Sequence, residues 1–276
     1  MLEAIQKIKD THGNCPIKIS NKESVCVRDL KILLIDEFQD FSPLFYDLVD
    51  TIRAYNPELK LYCVGDNWQA INGFAGSDVK YFNNFANYFG DSTKKYLSLN
   101  YRSSKAVVDA GNVIMQKTGE PPAICFNVNK LGNIKVDNVT SFGYSLPEDK
   151  DFIYDAKPDK NNYFGINHRI FKYCYDIIKE APLKSYFIID RTSNIVNTTV
   201  LEEFEDALVK KLNKDGIKTP NVKVSTIHQF KGSEADVVII LETDEDNFPL
   251  IHPDNEFNYV FDRTPQVVLD EERRLF

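Results

Sequence analysis

The feature that most constrains the fold is a set of short apolar, β-branched runs that stop at polar residues, separated by longer amphipathic stretches. Lys31 to Phe38 reads KILLIDEF, Leu61 to Asp66 reads LYCVGD, and Tyr96 to Leu99 reads YLSL. Later runs are SYFIID (Ser185 to Asp190), VKVSTI (Val222 to Ile227) and DVVIIL (Asp236 to Leu241). Buried strands alternating with helices predict βα units around a mostly parallel sheet, an α/β fold. After the first run, Ser42 suits an N-cap and Pro43 a first helical position, with Leu44, Leu48 and Ile52 continuing one helical face. A further helix is predicted from about Ser103 to Met115. The stretch from about Asn127 to Asn162 is rich in Asn, Asp, Lys, Gly and Pro, and reads as short strands and loops.

Polar residues with chemical potential fall just after these strands, at the sheet edge where open α/β folds bind ligands. Asp36 and Glu37 follow the first run. The first carboxylate suits Mg²⁺, and the second suits activation of an attacking water; a solvated acidic loop capping the next helix fits equally well. Asp66, Trp68 and Gln69 follow the second run. A Gln here can hydrogen-bond a terminal phosphate. Phe74 can offer a face to a nucleic-acid base, although Trp68 and Phe74 also suit core packing. Asn100-Tyr101-Arg102-Ser103 follows the third run, with a ring that can stack on a purine and a guanidinium that can fork onto phosphate. The alternative is an N-capped helix with Tyr in the core. Thr226, His228, Lys231 and Glu234 lie between the last two apolar runs. Thr, His and Lys can donate to a phosphate backbone, and Glu can accept from a ribose hydroxyl; His228 alone suits a structural role as well.

Composition narrows the classes. Of the 276 residues, 43% are hydrophobic and 27% charged, as in globular proteins. No run approaches the roughly 18–20 apolar residues of a membrane span, and the charged start MLEAIQKIKD has no signal-peptide core. Cys15, Cys26, Cys63, Cys125 and Cys174 form no C-x-x-C pair, so reduced thiols and a cytoplasmic location are expected. The net charge of −8 argues weakly against nucleic acid as a partner, yet a local groove needs no basic surface overall.

Together the polar segments resemble the UvrD/Rep-type superfamily 1 DNA helicases. Asp36-Glu37-Phe38-Gln39-Asp40 matches motif II, Gly65-Asp66-Asn67-Trp68-Gln69 motif III, Asn100-Tyr101-Arg102-Ser103 motif IV, and Thr226 to Glu234 motif V. Glu271-Glu272-Arg273-Arg274-Leu275 looks like the opening of motif VI. The segments GDNWQAI, FAGSD and KGSEADVVIIL look especially like the helicase IV branch. The resemblance spans about Leu30 to Phe276 and implies two RecA-like domains, expected at 1–94 and 95–276. It implies ATP and Mg²⁺ as cofactors. Asp36 would serve the metal, Glu37 would activate water, and Gln69 would sense the γ-phosphate. Tyr101 would stack on adenine, Arg102 would contact the γ-phosphate, Glu234 would hold the ribose, and Asp66 joins this cofactor-binding set. Phe74, Thr226, His228 and Lys231 would lie along single-stranded DNA. ATP hydrolysed between the two domains would drive translocation, 3′ to 5′, and unwinding at duplex junctions.

Departures qualify this. No Gly is followed by Lys, so the phosphate-binding loop G-x-x-x-x-G-K-[ST] does not occur in these residues. The family places that loop upstream of motif II, and the motif VI arginine beyond Phe276. Without them this chain alone is expected not to hydrolyse ATP, and the sheet edge left open would invite self-association. Asn72 stands where the family usually has Tyr, and Ala75 where UvrD proper has Arg. The alternatives are a non-hydrolysing module that binds single-stranded DNA or nucleotide, and a metal-dependent nuclease built on Asp36, Glu37 and Asp66.

Overall fold

A computed structural model describes residues 1–18, 24–116, 120–138, 164–195, 199–218, 221–244 and 264–275. They group into two compact units. The first comprises Met1–Asn100, Gly111–Ile124 and Asp262–Arg274, and the second Tyr101–Ala110, Cys125–Phe261 and Leu275–Phe276.

In the first unit, helix α1 (Leu2–Asp10) precedes an antiparallel pair, β1 (Pro16–Lys18) and β2 (Ser24–Cys26). Strand β3 (Ile32–Ile35) then leads to helix α2 (Pro43–Tyr55) and strand β4 (Lys60–Cys63), which pairs with β3 in parallel, Ile35 opposite Cys63. The crossover helix starts as the sequence predicts. Pro43 opens it, and the Ser42 hydroxyl accepts the Phe45 N–H at 3.3 Å. At its far end, buried Asn56 donates to the carbonyls of Val27 and Leu30, so the turn into β4 leaves that amide satisfied.

Leu33, Ile35, Leu61 and Cys63 face two clusters. One contains Ile8, Val27, Ile52 and Leu59; the other is aromatic, built on Phe38, Phe41, Tyr81 and Phe89. Helices α3 (Lys80–Asn83) and α4 (Phe85–Phe89) supply part of the aromatic cluster. Phe38 and Phe41 lie 4.6 Å apart between ring centres, so the loop after β3 is packed from below by its own aromatic residues. The strands are not buried on both faces as their composition predicts: alternate residues Ile32, Leu34 and Tyr62 are exposed, Leu34 by 71%. Period-two geometry turns them away from the clusters, and a continuous apolar run cannot reveal which face lacks a cover.

The predicted strand Tyr96 to Leu99 is shorter and later, β5 (Leu99–Asn100), matched by β6 (Ile124–Cys125). Helix α5 (Lys105–Ile114) lies within the predicted span. Residues 127–138 hold no regular element, and the rest of the predicted loop segment, 139–162, lies outside the described residues.

The second unit is centred on three parallel strands in the order β10, β7, β11. These are β7 (Ser185–Asp190), β10 (Asn221–Thr226) and β11 (Val237–Ile240), with β8 (Asn194–Ile195) and β9 (Thr199–Val200) as a separate small pair. Helices α6 (Phe164–Glu180) and α7 (Leu201–Lys214) bury their apolar stripes against this sheet. Leu201, Phe204, Leu208 and Leu212 of α7 recur at helical spacing and are all buried. Glu205 of the same helix accepts the Val224 N–H at 2.6 Å, capping an amide that edge strand β10 would otherwise expose. After β10 comes the short helix α8 (Ile227–Phe230); the last described helix, α9 (Pro265–Leu275), belongs through Arg274 to the first unit. No described helix is long and apolar enough to cross a membrane.

Candidate functional site

Because β3 and β4 are parallel and in register, the residues after them emerge at one sheet edge. Glu37 adopts a left-handed backbone, φ 50° and ψ 42°. A non-glycine residue there costs on the order of 1 kcal/mol, a strain that clusters at working sites. Asp36 stabilises the turn by accepting the Glu37 N–H through Oδ1 at 2.9 Å. The next polar residue, Gln39, is fully buried. Its Nε2 donates to the Glu37 carboxylate, and its Oε1 accepts the Asp66 N–H at 2.9 Å. Asp66 continues the chain: Oδ1 accepts the Trp68 N–H at 3.0 Å and Oδ2 accepts Gln69 Nε2 at 2.8 Å. Thus Glu37, Gln39, Asp66 and Gln69 form one hydrogen-bonded series, with Asp36, Glu37, Asp66 and Gln69 exposed at the edge.

Phe74 sits on a 3₁₀ turn, Gly73–Ala75, and is 70% exposed. Gly76 ends the turn at φ 90°, a left-handed backbone that favours glycine. The segment beyond is tied to the motif II loop, where the Ser77 hydroxyl donates to the Asp40 carbonyl and the Asp78 N–H to the Phe41 carbonyl.

In the second unit Tyr101, Arg102 and Glu234 come together. Tyr101 is exposed and lies against Phe126, 4.3 Å between ring centres and tilted by 35°. Arg102 Nε donates to Glu234 Oε2 at 3.1 Å, and the Arg102 carbonyl accepts Lys130 Nζ at 2.9 Å. Thr226 ends β10 and caps α8 reciprocally with Gln229, its hydroxyl accepting the Gln229 N–H at 3.3 Å. His228 and Lys231 follow, both half-buried.

Reasoning from sequence missed four positions that the structure brings forward: the bridging role of Gln39, the ring of Phe126, the carboxylate of Glu271, and Asp190. The last is buried at the end of β7; its Oδ1 accepts the Thr192 N–H at 2.9 Å, while Oδ2 has no donor. Burial raises its pKa, and the carboxyl of Glu242 is its bonding neighbour. Gln39 and Glu271 lie in motifs, but the partner of Glu271 is 198 residues away, and Phe126 and Asp190 lie in no motif.

The chain matches the UvrD/REP helicase N-terminal domain over residues 18–90 and the UvrD-like helicase C-terminal domain over residues 175–276. It belongs to the UvrD/Rep helicase family. The parallel sheets are accordingly those of RecA-like α/β domains. DNA helicase IV of Escherichia coli is 28% identical over 224 residues, which cover 79% of this chain and 27% of that protein. A probable DNA helicase of Mycoplasma pneumoniae is 27% identical over 224 residues, 80% of this chain and 37% of its own length. A putative ATP-dependent DNA helicase of Bacillus subtilis, YjcD, is 35% identical over 85 residues, 31% of this chain and 11% of that protein. The chain therefore spans well under half the length of these relatives.

The donor set can be tested against Mg²⁺. Asp36 and Glu37 offer adjacent, exposed carboxylates, hard oxygen donors. Among the described residues no group of three or more His, Cys, Asp or Glu is placed to hold a metal. The two adjacent carboxylates fit an ion carried mainly by water and substrate phosphates, with one or two protein ligands.

Proposed function

We propose that this chain supplies the nucleotide- and DNA-contacting residues of an ATP-dependent DNA helicase that moves along single-stranded DNA and opens duplex junctions. The observation that carries this reading is the hydrogen-bonded series from Glu37 through Gln39 and Asp66 to Gln69 across two parallel strand ends. It ties a water-activating carboxylate to a phosphate-sensing amide through a buried amide that cannot swing free.

In this reading Asp36 would hold Mg²⁺, which would supply positive charge against the phosphate oxygens. Glu37 accepts a proton from water as the water oxygen bonds to the terminal phosphorus. The bond to the bridging oxygen breaks, giving ADP and phosphate. Gln69 hydrogen-bonds the terminal phosphate and Asp66 orients Gln69. Tyr101 stacks on adenine, Arg102 meets the γ-phosphate, and Glu234 accepts from the ribose. Phe74 stacks on a DNA base while Thr226, His228 and Lys231 contact the backbone. Residues 1–94 and 95–276 would correspond to the two RecA-like domains acting on one ATP. A cytoplasmic location accords with five free cysteines, and self-association would use the exposed side of β3 and β4.

The test is ATP hydrolysis by the 276-residue chain, with and without single-stranded DNA, beside Glu37→Gln. No turnover in any sample is expected, because the residues shown contain no phosphate-binding loop. DNA-stimulated turnover that vanishes in Glu37→Gln would keep the roles of the acids but overturn that expectation. DNA or nucleotide binding unaffected by alanine substitution of each residue given a role above would favour a different binding module.

A further inference from the structure

Glu271 belongs to a motif whose start the chain carries, yet nothing in the nucleotide chemistry above uses it. It is buried on α9, and its Oε1 accepts the N–H of Gly73 at 2.7 Å, across 198 residues of sequence. Burying a carboxyl group is costly unless donors compensate it, and the Gly73 N–H supplies one at short range. The donor it serves is the first N–H of the 3₁₀ turn Gly73–Ala75. Such a leading N–H has no partner within its own turn, and the residue placed to cap it, Asn72, makes no side-chain cap. Glu271 therefore does from a distance what a local cap fails to do. Glu272, next along the helix, is rotated by about 100° and cannot take over the contact.

We propose that Glu271 is a positioning residue for Phe74: by capping Gly73 it fixes the turn that presents the neighbouring ring to a DNA base. The turn is then anchored on both sides, by α9 at Gly73 and by the motif II loop through Ser77 and Asp78. Phe74 itself stays exposed, as a stacking platform must. The inference rests on the reading of Phe74 as a DNA contact, so the experiment separates the two.

Binding of fluorescein-labelled oligo-dT to the full chain is measured by anisotropy for Phe74→Ala, Glu271→Ala, Glu271→Asp, Glu271→Gln and the Phe74→Ala/Glu271→Ala double variant. Each is compared where circular dichroism reports it folded. Phe74→Ala is expected to weaken binding about tenfold or more. Glu271→Ala and the shorter Glu271→Asp should each weaken it by about fivefold to tenfold, because the acceptor is lost or out of reach. Glu271→Gln, whose carbonyl still accepts the Gly73 N–H, should stay within about threefold of the parent. The double variant should be no weaker than Phe74→Ala, since a positioning residue has nothing left to position. Loss in Phe74→Ala with unchanged binding in Glu271→Ala and Glu271→Asp overturns the inference alone, as does a fully additive double variant. Unchanged binding in Phe74→Ala overturns the DNA role of the turn and the inference with it. Because Glu271→Asp preserves charge, it decides the matter even if Glu271→Ala does not fold.

Discussion

Gln39, itself fully buried, accepts the backbone N–H of Asp66 at 2.9 Å, so the loops after β3 and β4 share one amide. Both ends of that amide are used, since its Nε2 serves Glu37. Gln39→Leu should leave the Asp66 N–H and the Glu37 carboxylate short of partners, and lower stability by about 1–3 kcal/mol. Gln39→Glu should be at least as harmful, because it replaces a donor to Glu37 with a second carboxylate. Chemical denaturation of the two variants checks this. A loss below about 0.5 kcal/mol for both, the level of an ordinary surface change, would mean that the bridge is incidental.

Gly65 packs against the same amide. A Cβ built there would lie 2.5 Å from Gln39 Oε1 and 2.9 Å from the Phe38 nitrogen. Backbone cannot retreat as a flexible side chain can, so Gly65→Ala must push the two loops apart. The expected cost is about 1–3 kcal/mol, with the Asp66–Gln39 bond lengthened. Thermal melting would reveal the cost, and amide exchange at Asp66 the opened bond. Unchanged protection at Asp66 would contradict the close packing.

Part of this arrangement was legible in the sequence, and the reason is local. The Ser42-Pro43 helix start, the strands Ser185 to Asp190 and Val222 to Ile227, and the acids following β3 are set by a few neighbouring residues, and the structure has them within a residue or two. The run KILLIDEF was readable as a strand but not as one exposing Ile32 and Leu34, because burial depends on what lies opposite. YLSL shrank to a two-residue strand, its apolar residues Tyr96, Leu97 and Leu99 left exposed. Glu271 and Gly73 lie too far apart in sequence for any spacing rule to join them. The unpaired oxygen of Asp190 likewise exists only once β7 is central in its sheet.

Asp190 gives the fold a pH dependence of unusual sign for a carboxylate. Burial holds its pKa above the ordinary 3.8, while the Thr192 N–H opposes that rise. The folded chain thus binds this proton more tightly than the unfolded chain does. Its charged form weakens the fold above the raised value, and the penalty fades as pH falls through that value toward 3.8. Asp190→Asn keeps the acceptor for Thr192 and removes the buried charge. The variant should be more stable than the parent by about 1 kcal/mol near neutral pH, with the gap closing near pH 4. Melting curves across that range measure it, and a less stable variant at neutral pH would show that Asp190 is needed in its ionised form.

Arg102 and Glu234, both assigned to nucleotide, contact each other directly. Their ion pair spans 3.1 Å, but both side chains are well exposed, 63% and 72%. A solvated pair of this kind contributes about 0–1 kcal/mol and is screened by salt. The proposed roles require that it be weak, since Arg102 must turn to a phosphate and Glu234 to a ribose when ATP binds. Arg102→Ala, Glu234→Ala and their double variant should each melt within about 0.5 kcal/mol of the parent, with little coupling between the two changes. Raising the salt should erase what coupling there is. A coupling above about 1 kcal/mol that survives high salt would make the pair a structural clamp. ATP would then have to break a stable contact, and neither side chain could be counted as poised for the nucleotide.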